Sequence, residues 1–189
     1  MPSYKLYYFP ARAVGEVIRQ IFAYAGVEYE DNRMPVLEVD GKMIPQSYAI
    51  ARYLASQHGL TGKDSFEAAW VDAIADQYKD YLNEFRNFWY VLMGYREGDV
   101  EALKKEFGEP ARDKFYDLIE KQLKDNKSGF LVGEGVTWAD FLIADHVVTV
   151  QTELPGFLDA YPEVKKHAAK VQELPAIKAW IAKRPVTRG

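Results

Sequence analysis

The sequence contains no cysteine. The protein therefore has no disulfide, no thiolate zinc site and no cysteine nucleophile, and any sulfur chemistry must use a sulfur that a ligand brings. No apolar run approaches the roughly 18 residues of a membrane-spanning helix. The apolar start at residues 4–9 contains Lys5 and is followed by Pro10, unlike a secretory signal. These features predict a cytoplasmic protein that does not cross a membrane.

The chain also lacks any long run of lysine or arginine, and its formal net charge is -4. Nucleic acid and anionic membrane surfaces are therefore poor candidates as partners. The 189 residues are 48% hydrophobic and 14% aromatic, which is enough apolar material for a substantial core. A folded protein of one domain or two small ones is expected.

The first third of the chain reads as alternating strands and helices. Residues 4–9 favour a strand, residues 13–25 have helical spacing and end at Gly26, and residues 27–32 form a weak second strand. Asp40-Gly41 lies between two apolar runs and predicts a tight hairpin. A further helix from Ser47 to about residue 59 completes the pattern.

Everything after the polar connection at residues 60–65 reads as helix. A long helix is predicted at about 66–92 and another at 100–125, with a kink or break near Gly108 caused by Pro110. Thr137 and Asp140 form a capping-box signal that opens an almost wholly apolar helix, and two shorter helices follow. The prediction is an α+β fold: a small domain with a mixed four-stranded sheet at 1–59, a linker at 60–65 and an all-helical domain at 66–189.

The start of the second predicted helix, at Ser47, has two interpretations. Ser47 is placed where its side chain can cap the helix, which is a purely structural role. The same unpaired amides and the positive end of the helix dipole also suit a carboxylate or phosphate ligand. The residues alone leave both interpretations open.

Five segments, taken in order along the chain, resemble the cytosolic glutathione transferases. Within that family the similarity is to the sigma class, which includes the glutathione-dependent prostaglandin D synthase and invertebrate sigma-like transferases. The segments are YKLYYFPAR, MPVLEVDG, QSYAIARYLA, GVTWADF and LPAIKAWIAKRP.

This resemblance implies a thioredoxin-like domain joined to a helical domain, in a homodimer. Its implied activity is conjugation of the glutathione thiolate to hydrophobic electrophiles, as in detoxification, with peroxidase or isomerase side activity. Glutathione would be a co-substrate, with no prosthetic cofactor and no metal. Two functions from other classes stay open: a non-catalytic carrier of haem or another hydrophobic ligand, and a crystallin-like structural relative.

The resemblance also assigns catalytic roles to Tyr8 and Arg12. A thiol with a pKa near 8.5 is mostly protonated at neutral pH, and a neutral phenol can stabilise the thiolate by donating its O–H to the sulfur. Arg12 would add positive potential. The structural alternatives are a core tyrosine in the first strand and a surface arginine.

Further residues are assigned to glutathione by the same comparison. Pro35 matches the family's cis-proline, which exposes the backbone of Met34 to the cysteinyl group, while Gln46 and Ser47 would hold the γ-glutamyl end. Asp80 would reach the ligand's amino group from the partner subunit; the alternative is a solvated helix face. The pocket for the electrophile is expected between the end of the first strand and the long helix, at Phe9, Ala11, Val14, Leu82, Asn87 and Tyr90.

The chain departs from the family between Arg33 and Met34, where a helix and loop that supply a tryptophan and a lysine to glutathione have no counterpart. The strands on either side should flank the first strand, with ends about 9 to 10 Å apart. A single peptide step spans about 3.8 Å. We therefore expect a break in the chain at this point, with the intervening segment disordered and no glutathione bound; the alternative is a genuinely shortened variant.

Overall fold

The computed structural model describes residues 2–9, 11–32 and 36–187. Four short strands alternate with two helices in the first part: β1 Tyr4–Tyr7, α1 Ala13–Ala25, β2 Glu30–Asn32, β3 Val36–Val39, β4 Lys42–Pro45 and α2 Ser47–Gln57. The helical part contains α3 Ser65–Leu92, α4 Val100–Leu103, α5 Glu109–Asp125, α6 Trp138–Glu153, α7 Pro162–Gln172 and α8 Pro175–Lys183. The predicted α+β fold is confirmed; the predicted domain boundaries stay predictions.

The sheet has the order β2-β1-β3-β4 and is mixed, as predicted. β1 pairs with β2 in parallel and with β3 antiparallel, and β3 pairs antiparallel with β4. The turn between β3 and β4 has positive φ at both Asp40 (48°) and Gly41 (81°), which matches the right-handed twist of a tight hairpin. The Asp40-Gly41 signal therefore predicted the turn correctly.

Strands β2 and β3 lie on opposite sides of β1. Tyr7 pairs with Asn32 on one side and with Val36 on the other, so these two residues are separated by two strand spacings, about 9.6 Å. The predicted break between Arg33 and Met34 itself lies outside the described residues.

The helical part is built around α6, which is buried on nearly all sides, as its apolar sequence predicted. The Asp140 carboxylate accepts a hydrogen bond from the backbone N–H of Thr137 at 2.6 Å, so the predicted capping interaction is present. The predicted break near Gly108 also occurs, as a π-helical segment at Lys104–Gly108 between α4 and α5. None of the described helices has the length and apolarity needed to cross a membrane.

Candidate functional site

Tyr8 leaves the sheet immediately after β1 ends at Tyr7, and its ring lies on the first turns of α1. A Cβ at Gly15 would come within 2.4 Å of Tyr8 Cδ1, so the ring can take this position only because residue 15 has no side chain. The Arg19 guanidinium lies 5.5 Å from the centre of the same ring. α1 therefore fixes the half-buried Tyr8 from one side.

Arg19 also holds the loop that follows Tyr8. Its Nη1 donates to the carbonyl of Ala11 at 2.9 Å, its Nη2 to the carbonyl of Phe9 at 3.3 Å and its Nε to Asp31 at 2.8 Å. One guanidinium thus connects the end of β1, helix α1 and strand β2. Sequence reasoning missed Arg19, because a single arginine on a helix carries no local signal of such a role.

Arg12 is largely buried and faces the helical domain. Its Nη1 lies 3.6 Å from the Asp145 carboxylate, and Arg184 donates to both Asp145, at 3.0 Å, and Glu16. Burial raises the pKa of Asp145, and Glu16 adds to this, whereas Arg12 and Arg184 oppose it. One edge of the Arg12 guanidinium is thus engaged by Asp145, and its predicted action on a thiolate stays a prediction.

The start of α2 differs in detail from the sequence interpretation. Ser47 is the first helical residue and Gln46 is the N-cap, without a side-chain capping bond, so the prediction that Ser47 caps the helix is wrong. The first intrahelical bond runs from Ile50 N to Gln46 O, which leaves the amides of residues 47–49 at the open helix end. Gln46 has the strained angles φ 74° and ψ 113°. Backbone strain of this kind is often maintained where a ligand is bound.

Tyr48 and Tyr78 connect this helix start to Tyr8. Burial raises the pKa of Tyr48, and the nearby Tyr8 phenol contributes to the rise. Tyr78 on α3 also has a raised pKa, mainly through burial, with smaller contributions from Tyr48 and Tyr8. Because electrostatic effects act beyond contact distance, these contributions put the Tyr8 phenol only in the same region of the molecule as the Tyr48 and Tyr78 hydroxyls.

A cavity of about 320 Å³ lies between the start of α1, α3 and α6; we call it the α3–α6 cavity. Val14, Leu82 and Tyr90, three of the residues predicted for the electrophile pocket, line it. Asn87 is not among its lining residues and is exposed on α3, where Asn83 and Arg86 occupy the cavity side instead. The helical period explains this difference, because position 87 is rotated by about 100° from position 86.

A second cavity, of about 340 Å³, lies on the other side of the loop after β1; we call it the Tyr8 cavity. It is lined by Tyr8, Phe9, Ala11 and Arg12 together with residues of α1, β2 and the end of α8. The single predicted pocket is thus divided in two: Phe9 and Ala11 line the Tyr8 cavity, and Val14 lines the α3–α6 cavity.

The remaining predicted residues are not brought to these cavities by the described chain. Asp80 is exposed on α3. A residue that contacts a partner subunit would also be exposed in a single isolated chain. Met34 and Pro35 lie outside the described residues, and so does the predicted cis peptide bond at Pro35. Within the described ranges, no group of three histidine, aspartate or glutamate side chains forms a candidate metal site.

Comparison with known proteins gives a consistent result for both halves of the molecule. Residues 79–184 match the family model described as glutathione S-transferase, C-terminal domain. The chain is 48% identical to probable glutathione S-transferase 5 of Caenorhabditis elegans, with 99% of each chain covered. That alignment runs over 206 residues, more than the 189 of this chain, so it contains positions that this chain lacks.

Solved structures agree over the full length. Monomeric Na-GST-3 of Necator americanus is 46% identical, with a TM-score of 0.95 over 99% of this chain and 100% of that chain. A Nu-class transferase of Haemonchus contortus is 47% identical, with a TM-score of 0.93 and complete coverage of both chains. Prostaglandin synthase D of Nilaparvata lugens is 33% identical, with a TM-score of 0.83 over 98% and 100% of the two chains. The chain therefore belongs to the glutathione S-transferase family.

Proposed function

We propose that this protein is a glutathione transferase of sigma type that conjugates the glutathione thiolate to hydrophobic electrophiles in the cytoplasm, as a detoxification enzyme. One observation carries the assignment of roles: the Tyr8 phenol, seated on Gly15, lies near the open N-terminus of α2. A tripeptide that binds its carboxylate at that helix start can present its thiol to the phenol. The sulfur that this cysteine-free chain lacks is then supplied by the co-substrate.

The proposed chemistry assigns a separate task to each group. Tyr8 donates its O–H to the glutathione sulfur and lowers the thiol pKa, a role that suits tyrosine because phenols ordinarily stay protonated up to about pH 10. Ser47, Gln46 and the free amides of α2 hold the γ-glutamyl carboxylate. Met34 and Pro35 are proposed to pair with the cysteinyl backbone as an added strand.

The α3–α6 cavity is proposed as the site for the electrophile. Its volume suits a small aromatic molecule, and its wall includes Ala13 and Val14 of the segment that follows Tyr8. Ala13 and Val14 directly follow Arg12, so the loop after β1 separates this cavity from the Tyr8 cavity. The remaining predicted pocket residues, Phe9 and Ala11, would then contact the thiol end of glutathione.

The test is conjugation of glutathione to a chromogenic aryl halide. Tyr8→Phe is expected to reduce kcat about 10- to 100-fold while glutathione still binds. Tyr7→Phe is the matched control, because the Tyr7 hydroxyl instead bonds Glu38 at 3.2 Å on the sheet, and its rate should stay within about twofold. Equal rates for the parent and Tyr8→Phe would remove Tyr8 from the mechanism. No conjugation by the parent, together with tight haem binding, would favour the carrier function.

The role of Ser47 has its own test. Ser47→Ala should raise KM for glutathione about tenfold and change kcat little, because a contact to the γ-glutamyl end is the same in the ground state and the transition state. Ser56→Ala is the control on the same helix, since that hydroxyl donates to the carbonyl of Tyr53 at 2.7 Å. Unchanged KM in Ser47→Ala would exclude the residue from the binding site.

We also propose a homodimer whose contact includes α3. Phe66 and Trp70 are 71% and 45% exposed, and their spacing puts them on one stripe of α3 that continues to Asp80. A partner packed on this stripe would face Asp80, which supports its predicted contact with the other subunit's glutathione. Phe66→Glu should give a monomer in sedimentation, whereas Tyr95→Glu, at another exposed aromatic residue, should not. A monomeric parent chain would overturn the dimer.

A further inference from the structure

His146 is a polar group in the α3–α6 cavity that the proposed conjugation does not use. The other polar side chains that α6 contributes to the cavity are already engaged: Thr149 Oγ1 donates to the carbonyl of Asp145 at 2.9 Å, and the Asp145 carboxylate pairs with Arg184 and Arg12. Asn83 and Arg86 are exposed on α3. His146 is thus the group with hydrogen-bonding capacity left at the α6 wall of an otherwise mostly apolar cavity.

Four aromatic rings of α3 pack against the imidazole. Tyr78 and Tyr81 meet it edge-on, with ring centres 5.1 Å and 5.3 Å away, and Phe85 and Trp89 lie at 6.2 Å and 6.4 Å. Burial lowers the pKa of His146 to about 3. The ring is therefore neutral at physiological pH, with one nitrogen that donates and one that accepts.

Tyr81 decides which nitrogen carries the proton. Its hydroxyl lies 3.1 Å from His146 Nε2, and Tyr81 is 2% exposed. The Tyr116 hydroxyl lies close enough to Tyr81 to interact with it and to affect its pKa, but the two hydroxyls do not meet in good hydrogen-bonding geometry. His146 Nε2 is the partner of good geometry that the described residues offer the Tyr81 O–H, so we assign the lone pair to Nε2 and the proton to Nδ1. Because Nε2 faces buried Tyr81, the part of the half-buried ring that remains exposed is the Nδ1 edge, in the cavity.

We propose that His146 is a specificity-determining residue, whose Nδ1–H donates a hydrogen bond to the carbonyl oxygen of an α,β-unsaturated ketone or aldehyde bound in the α3–α6 cavity. This inference rests on the proposed function, since it names the class of electrophile for the same site. Ala13 and Val14, which directly follow Arg12 of the Tyr8 cavity, line the α3–α6 cavity together with His146, so a substrate there lies between the imidazole and the loop that follows Tyr8.

The step balances without a further reactant. The glutathione thiolate forms a C–S bond to the β-carbon, the C=C electron pair moves toward the carbonyl, and the carbonyl π pair becomes a lone pair on an enolate oxygen. The Nδ1–H bond strengthens as this oxygen gains charge. The α-carbon then takes a proton from water, and the hydroxide formed is neutralised by the proton that the thiol released.

Two variants of His146 test the roles of its two ring nitrogens separately. The side-chain amide of His146→Gln extends to the Nε2 position, so it can still accept from Tyr81 but offers no donor at Nδ1. His146→Asn places an amide near Nδ1 and loses the Tyr81 contact. The substrates are 4-phenyl-3-buten-2-one, which carries the conjugated carbonyl, and benzyl bromide, which has no such acceptor.

We expect His146→Gln to lower kcat/KM for the enone about 10- to 100-fold and to change that for benzyl bromide less than about threefold. His146→Asn should recover most of the enone activity. Equal losses with both substrates, or an unchanged enone rate in His146→Gln, would overturn the inference. Tyr81→Phe adds a check that retains His146: without the phenol the tautomer is no longer imposed, and an unchanged preference for the enone would contradict the assigned proton.

A binding measurement keeps this inference separate from the proposed function. Trp89 lines the cavity, so its fluorescence can report binding of unreactive 4-phenyl-2-butanone and of butylbenzene. The ketone Kd should rise at least about fivefold in His146→Gln while the hydrocarbon Kd stays constant. If the parent conjugates neither electrophile but shows this difference, the transferase assignment fails and the role of His146 stands. If conjugation occurs and the ketone binds equally to parent and variant, the transferase assignment stands and the role of His146 fails.

Discussion

The ring of Tyr8 lies directly against the backbone of Gly15, in space that any side chain at position 15 would fill. Gly15→Ala should therefore displace the ring and reduce conjugation at least about tenfold, because the phenol would no longer meet the sulfur. Combining it with Tyr8→Phe should cost little more than Tyr8→Phe alone, since both changes act through one group.

Gly135→Ala is the control for this prediction, because a Cβ there would meet nothing within 4 Å. Rates of glutathione conjugation for the four variants (Gly15→Ala, Tyr8→Phe, their combination and Gly135→Ala) and for the parent decide the question. Full activity in Gly15→Ala would show that Tyr8 works from another rotamer.

Ala13, the first residue of α1, has φ 39°, a left-handed conformation that costs a residue with a Cβ about 1–2 kcal/mol. Glycine adopts this conformation freely but loses more chain entropy on folding. Ala13→Gly should therefore raise the free energy of unfolding by about 0.5–1 kcal/mol, measured in urea. Asp40→Gly is the contrast: φ is 48° there, but the Asp40 carboxylate accepts from Ser3 N–H at 2.8 Å, so the change should bring no gain. A destabilised Ala13→Gly would contradict the assigned strain.

Asp140 is completely buried and accepts hydrogen bonds from three residues. The donors are the backbone N–H of Leu131 at 2.8 Å, the backbone N–H and hydroxyl of Thr137 at 2.6 and 2.7 Å, and His167 Nε2 at 2.8 Å. Asp140→Ala leaves all these groups without an acceptor, so the free energy of unfolding should fall by about 3 kcal/mol or more.

Asp159→Ala provides the comparison for Asp140. Asp159 is exposed and pairs with Lys165 at 2.8 Å, an arrangement whose loss should cost less than about 1 kcal/mol. Urea titrations of both variants test the difference. Similar small losses at the two positions would mean that Asp140 does not organise the start of α6.

His146 should make stability depend on pH. The unfolded chain takes up a proton at this histidine below about pH 6.5, whereas the folded protein resists it until about pH 3, so stability falls as the pH decreases through this window. The contribution between pH 7 and pH 5 is about 2 kcal/mol. The raised pKa of Asp145 acts in the opposite direction at lower pH.

The difference between the parent and His146→Gln isolates this effect. Urea titrations at pH 7 and pH 5 should show a fall in stability that is about 2 kcal/mol larger for the parent than for the variant. An equal fall in both proteins would mean that His146 is protonated in the folded state.

Features that depend on residues close together in the sequence were predicted correctly. Helix α1 has the predicted bounds, Asp40-Gly41 makes the predicted hairpin, and Asp140 accepts from Thr137 as expected. Each of these rests on interactions within a few residues, where backbone geometry leaves few choices. The resemblance to the glutathione transferases extended this to the order of both domains.

The details of the site were harder to predict from the sequence, because they depend on how elements that are distant in the chain pack together. β1 ends at Tyr7 rather than at residue 9, Ser47 is inside α2 rather than at its cap, and Asn87 faces away from the α3–α6 cavity. Small differences in where an element ends or how a helix is rotated decide which side chains reach a cavity. No local pattern fixes those quantities.

The sequence by itself determined most of the helices and strands, the absence of a protein thiol and, through five segments in order along the chain, the family. Only the tertiary structure decided that Gly15 makes room for Tyr8, that Arg184 joins Glu16 to Asp145, and that His146, with Nε2 against the Tyr81 hydroxyl, lines a cavity. Glu16 and Arg184 are 168 residues apart in the chain. Contacts of this kind form only when the helical domain packs on α1, and packing of the whole core determines which buried polar groups meet.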